Sequence, residues 1–146
     1  MSKAKPIPDG YHSLTPYLNV KRAAEAIAFY KTAFGAEEVF RMPGPGGAIM
    51  HAELRIGDSM LMMSEALQQP PSSATIFMYV TDTDAVFERA VKAGATAKMA
   101  PQDMFWGDRF GAVTDPFGIT WDIATHKEDL SPEEINRRRE ATMGSH

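Results

Sequence analysis

Cysteine is absent from the chain. That removes disulfides, zinc–thiolate sites and thiol nucleophiles from consideration at once. Long apolar runs are missing too. No stretch approaches the roughly 18 residues of a membrane span, and the N-terminal region holds no apolar core of a secretion signal. The expected location is therefore the cytoplasm, with no membrane partner. Positive charge is not in excess: a net charge of −4 at pH 7 offers no basic footprint, which argues against nucleic acid as a partner. Nor is there a G-x-S-x-G motif or a lysine in an expected apolar pocket, so an activated nucleophile of the usual kinds is missing. What is present is an ordinary balance of 44% apolar and 23% charged residues over 146 positions, enough for one domain with a substantial core.

Residues 1–13, with Pro6, Pro8 and Gly10, read as an irregular arm. Leu14–Val20 alternates as a half-buried strand does. Ala23, Ile27, Tyr30 and Phe34 then form one apolar helical stripe stopped by Gly35. A short strand is expected over Glu37–Met42, and PGPGG (43–47) reads as a loop or turn; its glycines suggest a phosphate cradle only superficially, because they open no helix. Ala48–Ile56 and Ser59–Glu65 flank Gly57-Asp58, a pair suited to a type II′ hairpin turn. After a polar linker (66–73) the order repeats. Thr75–Val80 is a strand, Asp82–Ala93 a helix stopped by Gly94, and Thr96–Met99 a short strand. A loop bearing Phe105, Trp106, Gly107 and Asp108 leads to a second hairpin, Phe110–Thr114 and Ile119–Thr125. Ser131, Pro132 and Glu134 mark the start of a short C-terminal helix in the tail (127–146), with Arg137, Arg138 and Arg139 expected near its end. Hairpins after each helix favour an α+β fold over a parallel α/β sheet.

The blocks TPYLNVKRAAEAIAFYKTAFGAEE (15–38), MHAELRIGDSMLMMSE (50–65) and WGDRFGAVTDPFGITWDIATHKEDLSPEE (106–134) resemble the PhnB-like branch of the vicinal-oxygen-chelate, or glyoxalase/bleomycin-resistance/dioxygenase, superfamily. The resemblance runs over about residues 11–134. It implies two βαβββ modules, 14–65 and 74–126, whose curved mixed sheets enclose a cup within a single domain, 14–126. It also implies a homodimer. The superfamily hosts lyases, dioxygenases, epimerases and non-catalytic drug binders, so the fold alone does not choose a reaction.

On that fold, period-two alternation sorts the strand residues between the helix-covered face and the cup. Met50, Ala52, Leu54, Leu61 and Met63 go to the core of the first module, leaving His51, Glu53, Arg55, Met60, Met62 and Ser64 for the cup. Thr15, Tyr17 and Asn19 join them. In the second module Ile76, Met78, Trp121 and Ile123 go inward, leaving Thr75, Phe77, Tyr79, Thr120, Asp122 and Ala124. These second faces are polar and aromatic, as a ligand pocket is.

Metal-using relatives take His, Gln or Glu ligands from the first and last strands of each module. Registered on the blocks above, these positions fall on Thr15, Met62, Thr75 and Asp122. Asp122 alone is a credible ligand, and one carboxylate does not hold a catalytic metal. The expectation is a protein without the family metal and without another cofactor. It binds a small, planar or aromatic molecule among Thr15, Tyr17, Met62, Thr75, Phe77, Tyr79, Trp106, Arg109 and Asp122. Two alternatives remain open. One is a lyase or oxidoreductase, with His51 as general base, Glu53 orienting it, and Asp122 as a second acid–base group or part of a displaced divalent-metal site. The other is a dimeric scaffold with a vestigial pocket. His12 and His126 read as surface or tail residues, and His146 is terminal.

Overall fold

The computed structural model describes residues 4–143; His146 lies outside them. The elements run β1 (Tyr17–Val20), α1 (Ala23–Phe34), β2 (Glu37–Pro43), β3 (Ile49–Ile56), β4 (Ser59–Glu65), β5 (Ala74–Tyr79), α2 (Thr83–Ala93), β6 (Thr96–Asp103), β7 (Asp108–Thr114), β8 (Ile119–His126) and α3 (Pro132–Met143). The strands make two four-stranded sheets of like topology, β1-β4-β3-β2 and β5-β8-β7-β6. In each, the strand before the helix pairs in parallel with the last strand of the repeat, and the remaining pairs are antiparallel. This is the expected α+β repeat. The chain divides into two compact units: one runs to Ser73 and includes Pro116–Gly118, and the other holds Ala74–Asp115 and resumes at Ile119. None of the described helices is long and apolar enough to cross a membrane.

In the first unit α1 buries Ala23, Ala26, Ile27, Tyr30 and Ala33 completely, against Val20, Ala52, Leu54 and Met63, which are equally inaccessible. Ile27, Val20, Leu54 and Met63 contribute about 1.5–3 kcal/mol each on burial, and the alanines less. Gly35, left-handed at φ 68°, ends the helix, and the amides of Gly35 and Ala36 reach back to Lys31 O and Tyr30 O. The β3–β4 hairpin has the expected register, Ile56 opposite Ser59 and Glu53 opposite Met62. Gly57 has φ +60° and Asp58 does not share a positive φ, which fits a type II′ turn and excludes I′.

In the second unit Asp82 caps α2 by accepting the Ala85 amide at 3.1 Å. Asp115 pins the β7–β8 turn, accepting the Ile119 amide at 3.0 Å and the Trp121 indole at 2.9 Å.

Several local expectations are corrected. β1 begins at Tyr17 rather than Leu14, which is 90% exposed. Pro16 has no N–H for a ladder, although its carbonyl accepts Met62 N. Met50 is exposed and Ile49 buried, because the pairing with β2 slips by one residue between Met42 and Pro43 and inverts the alternation there. β6 continues past Met99 through Pro101 to Asp103. It is an edge strand with register shifts on both sides of Met99, and a proline is tolerated at such a place. Asp108 and Arg109 belong to β7, not to the preceding loop. Ser131 does cap α3, accepting Glu134 N at 3.1 Å, but the helix extends over 12 residues. The arginines therefore lie mid-helix. Arg137 and then Arg138 grip Glu134 and hold its carboxyl down to about 2, and Arg138 also binds Glu128.

Candidate functional site

On the first sheet, the face away from α1 carries a row of register partners running Tyr17, Met62, Glu53, Phe40. Tyr17 Oη lies 3.2 Å from His51 Nδ1, and His51 Nε2 lies 3.0 Å from Glu53 Oε2. Tyr11, from the N-terminal arm, donates its hydroxyl to the other Glu53 oxygen. A neutral imidazole carrying its proton on Nε2 satisfies both neighbours, donating to Glu53 and accepting from Tyr17. The hydrogen bonds from Tyr11 and His51 hold the Glu53 carboxyl below its ordinary range against the effect of burial. Burial first, then the bond to Glu53, pushes the Tyr11 hydroxyl up to about 12. His51 and Glu53 are thus brought together, with their polar atoms engaged inside the protein. Asn19, next along β1, accepts Ser64 Oγ at 2.8 Å and Gln69 Nε2 at 2.9 Å, and its backbone pairs with Ser72 of the linker. Thr15 stands half-buried before β1 starts.

On the second sheet, the face away from α2 is aromatic. Phe77 contacts Tyr79 at 5.1 Å and Phe110 at 5.8 Å between ring centroids, and Trp106 adds an edge contact to Phe110 at 5.9 Å. Tyr79 and Phe110 both pair with Ala124, which is fully buried beneath these rings. Phe77 pairs with Asp122, and Thr75 with Thr120. At the end of this face sits Asp108, 2% exposed. It accepts Tyr79 Oη at 2.9 Å and Trp106 Nε1 at 3.2 Å on one oxygen, and His126 Nδ1 at 2.9 Å on the other. The far nitrogen of His126 reaches Asp129 at 2.7 Å. Asp108 and then Asp129 stabilise the imidazolium and raise the His126 pKa. A cleft of about 230 Å³ adjoins this cluster, lined by Asp103, Met104, Gly107, Asp108, Lys127 and Glu128.

Arg109, expected among the ligand-binding residues, points to the α2 side. Alternation along β7 separates it from Asp108 and Phe110, and its guanidinium is held by Asp84 at 2.9 and 3.1 Å and by Asp103 at 3.2 Å. The sequence reading also missed Tyr11, Phe110 and His126. For His126 the signal was present: the alternation Thr120, Asp122, Ala124 leads to residue 126, the register partner of Asp108. Tyr11 carries no such mark, since an irregular arm has no period.

Thr15, Met62, Thr75 and Asp122, the positions the resemblance assigns to a metal, carry two hydroxyls, a thioether and one carboxylate, a donor set that does not suit a divalent ion. Among the described residues no group of three or more His, Asp or Glu side chains is arranged to hold one.

Two βαβββ repeats of like topology, each leaving a polar-aromatic sheet face clear of its own helix, define a paired-module α+β protein. The chain belongs to the Glyoxalase/Bleomycin resistance protein/Dioxygenase superfamily, whose sequence profile matches residues 11–123. It is 42% identical over 135 residues to the uncharacterized protein Rv0887c of Mycobacterium tuberculosis, covering 84% of this chain and 79% of that one. It is 33% identical over 141 residues to protein YjdN of Escherichia coli, covering 79% and 96%. The X-ray structure of the Arabidopsis thaliana gene product At5g48480 aligns with a TM-score of 0.65 at 28% identity, over 78% of this chain and 98% of that one. A PhnB protein of Bacillus cereus shares the fold, with a TM-score of 0.62 at 19% identity, over 78% of this chain and 99% of that one.

Proposed function

We propose that this protein binds a small organic molecule on its aromatic sheet face, without a divalent metal. The supporting observation is the exposure of Phe77 and Tyr79, 46% and 62%, on the face that α2 leaves open. Large rings held in contact with one another yet open to solvent offer apolar area and stacking surface to a planar ligand. A thermal-shift screen against aromatic metabolites, antibiotics and glutathione adducts tests the reading. Stabilisation by a planar compound supports it, and silence across the library favours a scaffold with a vestigial pocket. Near-stoichiometric zinc, nickel, manganese or iron in protein purified without chelator overturns the metal-free part.

One observation favours a second reading, as an enzyme. The 3.0 Å contact of His51 with Glu53 has the geometry of a base and its orienting carboxylate. In that reading a substrate displaces Tyr17 from Nδ1, and His51→Ala abolishes a turnover that Thr75→Ala spares. A homodimer in the cytoplasm completes the proposal. Light scattering coupled to gel filtration, and cell fractionation, test its two parts.

A further inference from the structure

Asp122 differs from the other carboxylate on the second sheet's open face. Asp108 is saturated by Tyr79, Trp106 and His126, whereas Asp122 makes no hydrogen bond or ion pair among the described residues. Its flanking register partners are Phe77 on β5 and Ala112 on β7, neither of which offers a side-chain donor. Two residues along β8, fully buried Ala124 pairs with Tyr79 and Phe110, so half-buried Asp122, itself beside Phe77, stands at the edge of the aromatic cluster. Burial raises its pKa against the opposing charge of Lys98, with which it forms no ion pair. Water reaches its oxygens, since no buried side-chain oxygen among the described residues lacks a partner. They are therefore open to a donor that the fold itself does not supply.

The surroundings define the missing partner. A carboxylate repels anions and attracts an ammonium or amidinium group. The faces of Phe77 and Phe110 attract the same cation through their quadrupoles and stack a flat ring. Resting on the reading of this face as a small-molecule site, we infer that the ligand is a planar or aromatic compound carrying a protonated amine, its amine on Asp122 and its ring against Phe77 and Phe110.

Titration calorimetry with 2-naphthylmethylamine, 2-naphthylmethanol and 2-naphthoate tests the inference, since the probes share a ring system and differ in charge. The full-length protein is expected to bind the amine about tenfold more tightly than the alcohol, the scale of one partly desolvated ion pair with a cation–π contact. The carboxylate should bind most weakly. Asp122→Asn, which keeps size and shape, should erase the preference for the amine over the alcohol. Lys98→Ala, which removes the competing cation, should tighten the amine alone. Phe77→Ala should weaken all three. Equal affinities for amine and alcohol, or a preference that survives Asp122→Asn, overturn the amine assignment while leaving the aromatic-face reading intact. Absence of binding by all three probes overturns both.

Discussion

Asp108 gathers three donors from three separate places in the second unit, and at 2% exposure it has little water to fall back on. Asp108→Ala leaves Tyr79, Trp106 and His126 without their acceptor and should cost about 2–4 kcal/mol, read from urea unfolding. Asp108→Asn keeps an acceptor oxygen and should cost less. His126 adds a pH dependence. Its pKa in the folded state is raised by Asp108 and then Asp129, so its contribution is complete below the unfolded value of about 6.5 and declines as pH rises through the folded value. The gap in Tm between the wild type and His126→Gln should therefore be widest in mild acid and close in alkali. An unchanged gap across that range would show that His126 does not carry this charge. Tyr11→Phe should cost about 1 kcal/mol and free the N-terminal arm, seen as faster amide exchange around residues 8–13. At this scale the pairing of His51 with Glu53 was legible, because side chains at i and i+2 on a strand share a face. The Asp108 cluster was not, because Asp108 was read as loop and His126 as tail.

Among the elements, α1 and the β3–β4 hairpin could be read almost to the residue, since a helical stripe ending at glycine and a Gly-Asp turn are local signals. β6 could not. Pro101 reads as a breaker until the strand is known to be at an edge, with slips in register around Met99. The β6–β7 connection depends on Gly107, whose φ is +101° and whose added Cβ would lie 2.7 Å from the Glu128 carbonyl oxygen. Gly107→Ala should destabilise by about 1–3 kcal/mol and disturb the neighbouring Trp106–Asp108 contact, visible in tryptophan fluorescence. α3 depends on its cap to a greater degree than a core helix does. Ser131→Ala should cost about 1 kcal/mol locally, lowering exchange protection over 132–143 before it changes the global Tm.

Across the whole molecule the repeat was the most legible feature, because element order survives where residue identity between the halves does not. The ligand was the least legible, since it depends on which side chains are left without partners once the sheets have formed. The linker after β4 is held to the first unit through Asn19. Asn19→Ala, which removes the side-chain bonds to Gln69 and Ser64 but keeps the backbone bonds to Ser72, should speed proteolytic cleavage around Gln69 with little change in Tm. Another long-range tie has a consequence for the order of assembly. α1 begins after Arg22, itself left-handed, with no side chain of its own to cap it. Its first amide is met instead by the carboxylate of Glu65, at the end of β4, which also takes the amide of Ile49. The start of the helix therefore waits for a residue made 42 positions later. A growing chain emerging from the ribosome can wind the middle of α1 early, but its first turn is secured only when the hairpin has closed, so helix and sheet in this unit should appear in a single kinetic phase.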